Sequence, residues 1–324
     1  MEILRIPVGD KTLSHKVFEG NKFPDICPGN VADHLEKIRN MAYRHDDVFI
    51  MSYPRSGTHW LREIVFMLMK GRAEYIIDDN IDFPIELLDM DTIEKEASPR
   101  IFYSHMPFQY LPRDHLARNG KVIGCVRNPK DVMASAFHYF NNVAFEVEWD
   151  TYFNVLLEGN APYGCWFAWR DQWGRMLEQQ REHPPLTITY EDTSRNLEGQ
   201  VRRISEYLGL SYSDDLIEDI THACKFNNMK LAKTRTKSNM MKRIKDAVQD
   251  LETATIEDVN RNRGGHNTVI RKGTVGDWKT LFTTEQKQKF NTVYKNKTLA
   301  GSQLDFDGYF EDDFMESYVE PSNP

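Results

Sequence analysis

Closely spaced cysteines are missing: Cys27, Cys125, Cys165 and Cys224 are the four in 324 residues, and no CxxC occurs. Neither a zinc site nor a disulfide framework is expected, and a reducing compartment fits best. Long apolar runs are missing too. The longest, the six residues Ile64 to Met69, falls far short of the ~20 that span a bilayer, and the opening MEILRIPVGDKTL has no apolar signal region. The expectation is a soluble, cytoplasmic protein with no membrane attachment. No clustered Asp/Glu/His ligand set appears, so no metal is expected. Basic residues are absent beyond Lys297, where Asp305, Asp307, Glu311, Asp312, Asp313, Glu316 and Glu320 make an acidic tail over about 305–324. Residues 1–297 carry 41 basic against 42 acidic side chains, so the net charge of −8 belongs to that tail, read as a solvated end. A pI near 5.7 gives no wide basic footprint for nucleic acid. Lys225 to Lys245 nevertheless holds eight basic residues and no acid, either an exposed basic segment or a flap over an anionic ligand. Linkers and repeats are also lacking, so residues 1–324 read as one domain with a well-buried core.

What is present begins with VFIMSYPRSGTHWLREIVFMLMK, Val48 to Lys70. It reads as an apolar strand, a Pro/Gly/Ser/Thr loop with one arginine, and an amphipathic helix from near Trp60. Amides at a helix start carry partial positive charge, Gly57 allows close backbone approach, and Ser56, Thr58 and His59 add side-chain donors. Arg55 supplies full charge. The segment therefore suits a phosphate or sulfate, with an ordinary strand-to-helix turn as the alternative. It is no nucleoside-triphosphate loop of the GxxxxGK[ST] kind, since the second glycine and the lysine are missing.

Strand and helix patterns alternate along the chain. Val48–Tyr53, Arg100–Ser104, Lys121–Val126 and Leu186–Tyr190 read as strands; Trp60–Lys70, Asp131–Tyr139 and Leu197–Leu208 read as helices, the last closed by Gly209. Such alternation predicts an α/β fold, a parallel sheet with helices on both faces. Ligands in open α/β sheets sit off the carboxyl ends of the strands, where Arg55, His105, Arg127 and Tyr190 all fall. Arg127, followed by Ser135 within the next helix, and the later Arg271, Lys272 and Gly273 add two further basic segments able to hold phosphate. A basic surface turn accounts for the last of these equally well.

Taken together, YPRSGTHW, RNPKDVMAS, YEDT and RKGTVGDWKTLFT, with YSHMP, YGCW and FNNMK, resemble the cytosolic sulfotransferase family in order and spacing from about Asp46 to Phe282. The resemblance implies a P-loop-like central parallel sheet and the donor 3'-phosphoadenosine 5'-phosphosulfate, with adenosine 3',5'-bisphosphate as product. It assigns Arg55, Ser56, Gly57, Thr58, His59 and Trp60 to the 5'-phosphate side, with Trp60 also on the adenine. Arg127, Ser135, Arg271, Lys272 and Gly273 would hold the 3'-phosphate, and Tyr190, Phe226 and Met229 would contact the adenosine. Cys224 and Lys225 replace the family's usual Ser and Thr.

The chemistry implied is attack of an acceptor hydroxyl or amine on sulfur. A base must take the acceptor's proton while positive charge stabilises the departing phosphate. The resemblance gives His105 the first role and Arg55 the second; His138 is the next histidine near that edge. Two family lysines are replaced, by Arg55 and Tyr103. Tyr103, Phe108, Phe145 and Trp149 are candidates for the acceptor pocket, with core packing as their alternative. Lys279 and Thr283 match a family dimer segment, while Thr284 and Gln288 depart from it, so a monomer or weak homodimer is expected. Two other functions stay open: a catalytically impaired nucleotide-binding relative, and a small-molecule kinase on the same fold.

Overall fold

The computed structural model describes residues 2–76, 81, 83–144, 146–179, 182–235 and 270–297. The acidic tail, Phe145 and the basic segment beyond 235 lie outside the described residues. In chain order the elements are β1 (Glu2–Val8), β2 (Lys11–Phe18), β3 (Asn21–Pro24), α1 (Val31–Arg39), β4 (Val48–Ser52), α2 (Thr58–Lys70), α3 (Met90–Lys95), β5 (Ile101–Ser104), α4 (Arg113–Ala117), β6 (Lys121–Val126) and α5 (Pro129–Val143). Then come α6 (Trp149–Leu157), α7 (Trp166–Glu178), β7 (Leu186–Thr189), α8 (Tyr190–Arg195), α9 (Leu197–Leu208), α10 (Asp214–Ala223), α11 (Phe226–Arg235) and, in the last described segment, α12 (Thr284–Lys297).

Four parallel strands in the order β5-β4-β6-β7 form the central sheet. Successive side chains on a strand point to opposite faces, and here they enter two separate cores. Phe49, Met51, Phe102, Val122 and Val126 belong to one; Val48, Ile50, Ile101, Tyr103, Ile123, Cys125 and Ile188 belong to the other. α2, α9 and α10 cover the second face through Leu61, Ile64, Val201, Ile204, Ile217 and Ile220, while α5, α6, α7 and α12 contribute to the first core. Full burial of such side chains contributes about 1.5–3 kcal/mol each, which is why β4 reads as an unbroken apolar run.

Two helix starts, those of α2 and α5, differ from expectation by two residues. α2 begins at Thr58 rather than Trp60, directly after Gly57, which has φ +105° and no side-chain cap. α5 begins at Pro129, because Asn128 Oδ1 caps the Lys130 amide at 2.9 Å and proline suits the first helical position. Tyr190 opens α8 instead of ending β7, since Thr189 Oγ1 accepts from the Asp192 amide at 3.0 Å. The antiparallel meander β1-β2-β3 has no counterpart in the strands read from sequence. On β2 the most buried side chains are His15 and Lys16, so alternation of apolar residues is absent there. His15 Nε2 sits 2.9 Å from the Asn160 carbonyl, and Lys16 Nζ donates to the Gly29 carbonyl at 3.0 Å.

Candidate active site

Off the carboxyl ends of β4, β5 and β6 lies a cavity of about 320 Å3. Its anion-holding end is the turn from β4 into α2. Arg55 at φ +71° and Gly57 at φ +105° are both left-handed, which curls the turn and leaves the first α2 amides without side-chain caps. A Cβ on Gly57 would meet Tyr190 Cδ2 at 2.8 Å, so only glycine lets the turn lie against that ring. Arg55 is held in its uncommon backbone conformation by its side chain, which lies 4.4 Å over the Tyr139 ring and donates from Nε to Ser135 Oγ at 3.2 Å. Burial lowers its pKa to about 10, leaving it cationic at neutral pH.

Arg127 joins the other segments to this turn. Its guanidinium donates to the Arg55 carbonyl at 3.1 Å and the Thr274 carbonyl at 3.2 Å, and lies 4.0 Å over the Tyr190 ring. Its Nε and the Ser56 hydroxyl are buried without hydrogen-bond partners among the described residues. An unpartnered guanidinium nitrogen on a residue lining the cavity beside a basic, amide-rich turn fits an anionic ligand. Arg271 and Lys272 both pair with Asp277, the lysine at 2.7 Å, so part of the third segment's charge is already compensated. Gly273, at φ +72°, lies so close to Phe226 that a Cβ would fall 2.1 Å from Cδ2. Trp60, Tyr190, Phe226 and Met229 line the same end of the cavity, with Trp60 and Tyr190 edge to face at 5.4 Å.

His105 follows the end of β5. Its Nδ1 is 2.8 Å from the Ser52 carbonyl, which can only accept, so Nδ1 carries the hydrogen and Nε2 is the ring's proton acceptor. Burial above all, and then the Arg55 charge, lower its pKa to about 4 against the opposing Ser52 bond, so the imidazole is neutral at physiological pH. Glu86 fixes the strand end: its carboxylate accepts the His105 amide at 3.0 Å and the Ser104 hydroxyl at 2.8 Å. Tyr163 presents its ring edge to His105 at 5.2 Å. Tyr103, 1 % exposed, packs between His59 at 5.4 Å and His105 at 5.8 Å, with the Arg62 guanidinium 5.5 Å over its ring. Burial first, then the charges of Arg62 and Arg55, keep the His59 imidazole well below its ordinary pKa.

The cavity thus brings together Arg55, Gly57, Thr58, His59, Trp60, Tyr103, His105, Arg127, Ser135, Tyr190, Phe226, Met229, Arg271, Lys272 and Gly273. Ser56 is fully buried beneath the turn and does not line it. Phe108 and Trp149 do not line it either. Phe108 packs on the first core, and Trp149 sits between Phe137 and Phe282, each at 5.2 Å, donating to Gln286 at 2.9 Å. For these two the core-packing alternative holds. His138 is half-buried away from the lining, and Cys224 gives its carbonyl to the Trp60 indole at 2.8 Å. Sequence reasoning missed Glu86 and the wall residues Tyr139, Phe140 and Tyr152. Tyr139 had a usable signal, since it stands four residues after Ser135 on one face of α5.

Comparison with known proteins places this geometry in context. The family described as "Sulfotransferase domain" matches residues 45–303. Sulfotransferase 1B1 of Canis lupus familiaris is 32% identical over 289 residues, 85% of this chain and 90% of that protein. Sulfotransferase 2A1 of Homo sapiens is 30% identical over 289 residues, 86% of this chain and 93% of its own. Among solved structures, mouse sulfotransferase SULT7A1 complexed with PAP has a TM-score of 0.68 at 27% identity, covering 89% of this chain and 96% of that one. Retinol dehydratase in complex with androsterone and inactive cofactor PAP shares the fold, with a TM-score of 0.69 at 18% identity and 94% of each chain covered. Matched by the family over most of its length, and by relatives that it covers almost end to end, the chain belongs to the sulfotransferase family.

Proposed function

We propose that this sulfotransferase, as one domain acting in the cytoplasm, transfers the sulfuryl group of 3'-phosphoadenosine 5'-phosphosulfate to a hydroxyl of an apolar small molecule. Family membership favours sulfuryl over phosphoryl transfer and so removes the kinase alternative. When bound, the donor supplies an activated sulfur whose bond to the phosphate oxygen breaks as the acceptor oxygen bonds to it. The α2 amides, Thr58 and Arg55 surround the 5' end, and Arg55 offsets the charge developing on the leaving phosphate. Arg127, Ser135, Arg271, Lys272 and Gly273 hold the 3'-phosphate, while Trp60, Tyr190, Phe226 and Met229 take the adenosine. His105 Nε2 accepts the acceptor's proton. Arg55 stays cationic at neutral pH, so it acts through charge.

Away from the basic turn the lining is mainly apolar, with Ile26, Phe83, Leu87, Phe140, Leu156 and Ala161 joined by Tyr53, Tyr139, Tyr152 and Tyr163. The lack of a charged side chain among them favours an uncharged, largely apolar acceptor with its hydroxyl at His105. The observation that carries the function is the neutral His105, with Nε2 as its proton acceptor, in one cavity with the Arg55 turn. Labelled donor tested against phenols, alcohols, steroids, amines and sugars should give a sulfated product, best with apolar alcohols or phenols. Heat stabilisation by adenosine 3',5'-bisphosphate, and not by ATP with magnesium, should accompany it. Binding with no transfer to any acceptor would leave only the impaired nucleotide-binding relative.

For assembly, we propose a monomer or weak dimer. Thr283 and Gln286 form a reciprocal cap of α12, with amide bonds of 3.0 and 3.2 Å, a local use that accounts for Thr283 without a partner chain. Light scattering at nanomolar concentration should show one chain; a tight dimer lost on changing Lys279 would overturn this.

A further inference from the structure

Two buried carboxyl groups lie on the segments next to Arg127, Asp131 on the helix that follows it and Glu191 bonded to the Asn128 amide, and sulfuryl transfer uses neither. Asp131, 1 % exposed, is satisfied on both oxygens: Oδ1 accepts the Trp278 amide at 3.0 Å and Oδ2 the Gly276 amide at 2.7 Å. Glu191, 3 % exposed on α8, is not. Its Oε1 accepts the Asn128 amide at 2.9 Å, whereas Oε2 is buried with no hydrogen bond of good geometry among the described residues. Arg127 lies 4.0 Å over the ring of Tyr190 while the next residue, Asn128, donates its amide to Glu191, so the buried Glu191 and Asp131 carboxyls depend on the Arg127 charge for compensation. Of the two, the donor count marks Glu191 as the carboxyl that takes a proton more readily, and near neutral pH it is only partly protonated. Burial accordingly raises the Glu191 pKa to about 7, against the Asn128 amide, Arg127 and its own amide. The remaining groups that face it, the Cys125 thiol and the Tyr190 phenol, are both raised by burial and stay neutral.

We propose that Glu191 is a positioning residue of the nucleotide cleft, holding Arg127 in place through the Asn128 amide, and that it takes up a proton from solvent when an anion binds at Arg127. The inference rests on Arg127 as a phosphate ligand. Phosphate at the guanidinium removes the charge that compensated the two carboxyls, so an ionised Glu191 becomes costlier and Oε2 binds a proton; no other bond changes. The complex then holds more protons than the free protein, and nucleotide affinity falls as pH rises through about 7.

The test is calorimetric titration with adenosine 3',5'-bisphosphate at pH 6, 7 and 8, in buffers of differing ionisation enthalpy. Wild type is compared with Glu191→Gln, and the titration of the free nucleotide's own phosphates is measured separately. Wild type should take up about half a proton more than the variant at pH 7, and lose about three- to tenfold more affinity between pH 6 and 8. Equal uptake in the two proteins would overturn the role of Glu191. If Glu191→Gln does not fold, wild-type uptake no greater than the free phosphates explain would do the same. Absence of any binding to wild type would instead overturn Arg127 as a phosphate ligand.

Discussion

The two ends of the cavity are built by different rules. The basic end, to which the proposal gives the phosphates, is made from short local segments, Tyr53–Trp60, Arg127–Ser135 and Arg271–Gly273, each combining a turn with a cation. The acceptor end takes Ile26, Phe83, Leu87, Phe140, Leu156 and Ala161 from widely separated parts of the chain. Binding an anion requires particular donors at a particular turn, and adjacent residues can encode that. Walling an apolar molecule requires only volume and the absence of unpaired polar groups, which any core residue supplies. On the proposed function, reaction class and acceptor choice are therefore separable properties of this chain, and His105 is the residue assigned to where they meet.

The sharpest way to break that comparison is His105→Ala. The nucleotide end should be untouched, while turnover falls by about 10²–10⁴, because proton transfer occurs only in the transition state. Steady-state transfer with calorimetric nucleotide affinity measured alongside would check it; full activity would remove His105 as the base. Arg127→Ala is the complementary change. Charged hydrogen bonds contribute about 1.5–3 kcal/mol each, so nucleotide affinity should fall about ten- to a hundredfold. Arg271→Ala should cost less, because Asp277 already pairs with Arg271. Equal losses in the two variants, read by calorimetry, would count against that ranking.

The same contrast explains what sequence alone could say. β6 and α9 carry the bounds expected of them, since a buried strand between polar turns and a helix closed by Gly209 are both local patterns. His15 and Lys16 fill the buried positions of β2 because their polar atoms reach backbone carbonyls, so the meander shows no apolar alternation. Glu86 was invisible for a related reason. A fully buried carboxylate is made tolerable by Ser104 and the His105 amide, 18 and 19 residues away, and a single sequence does not show such a pairing. Trp149 and Phe108 look like pocket aromatics in sequence and pack as core in the fold.

A smaller effect separates the ends by pH. The folded His105 pKa of about 4 lies below its ordinary value of 6.5. Between these values the unfolded chain binds a proton that the folded chain does not, so the stability this group contributes is fully present above about pH 6.5 and is lost as pH falls toward 4. The acid limb of kcat/KM should likewise lie near pH 4, leaving activity at pH 5.5 within about twofold of that at pH 7 so far as His105 is concerned. A limb centred near 6.5 in the wild type would mean that His105 is solvated and is not the base described here.

Tyr103 gives the finest test, because it stands between the ends. Its ring packs on His59 and His105 and beneath Arg62, so Tyr103→Lys would remove two ring pairs and one cation–π contact and bury an ammonium beside the Arg62 guanidinium. Both activity and melting temperature should fall; higher activity toward simple phenols would show instead that missing charge limits turnover. Tyr103→Phe keeps the ring and deletes the hydroxyl. A single neutral hydrogen bond is worth about 1 kcal/mol, so transfer should change by less than about fivefold. Steady-state rates for both variants with one apolar alcohol and one simple phenol make the distinction. If Tyr103→Phe loses activity toward the alcohol alone, the phenol hydroxyl takes part in orienting the acceptor, and Tyr103 belongs to the acceptor end rather than to the packing that supports both.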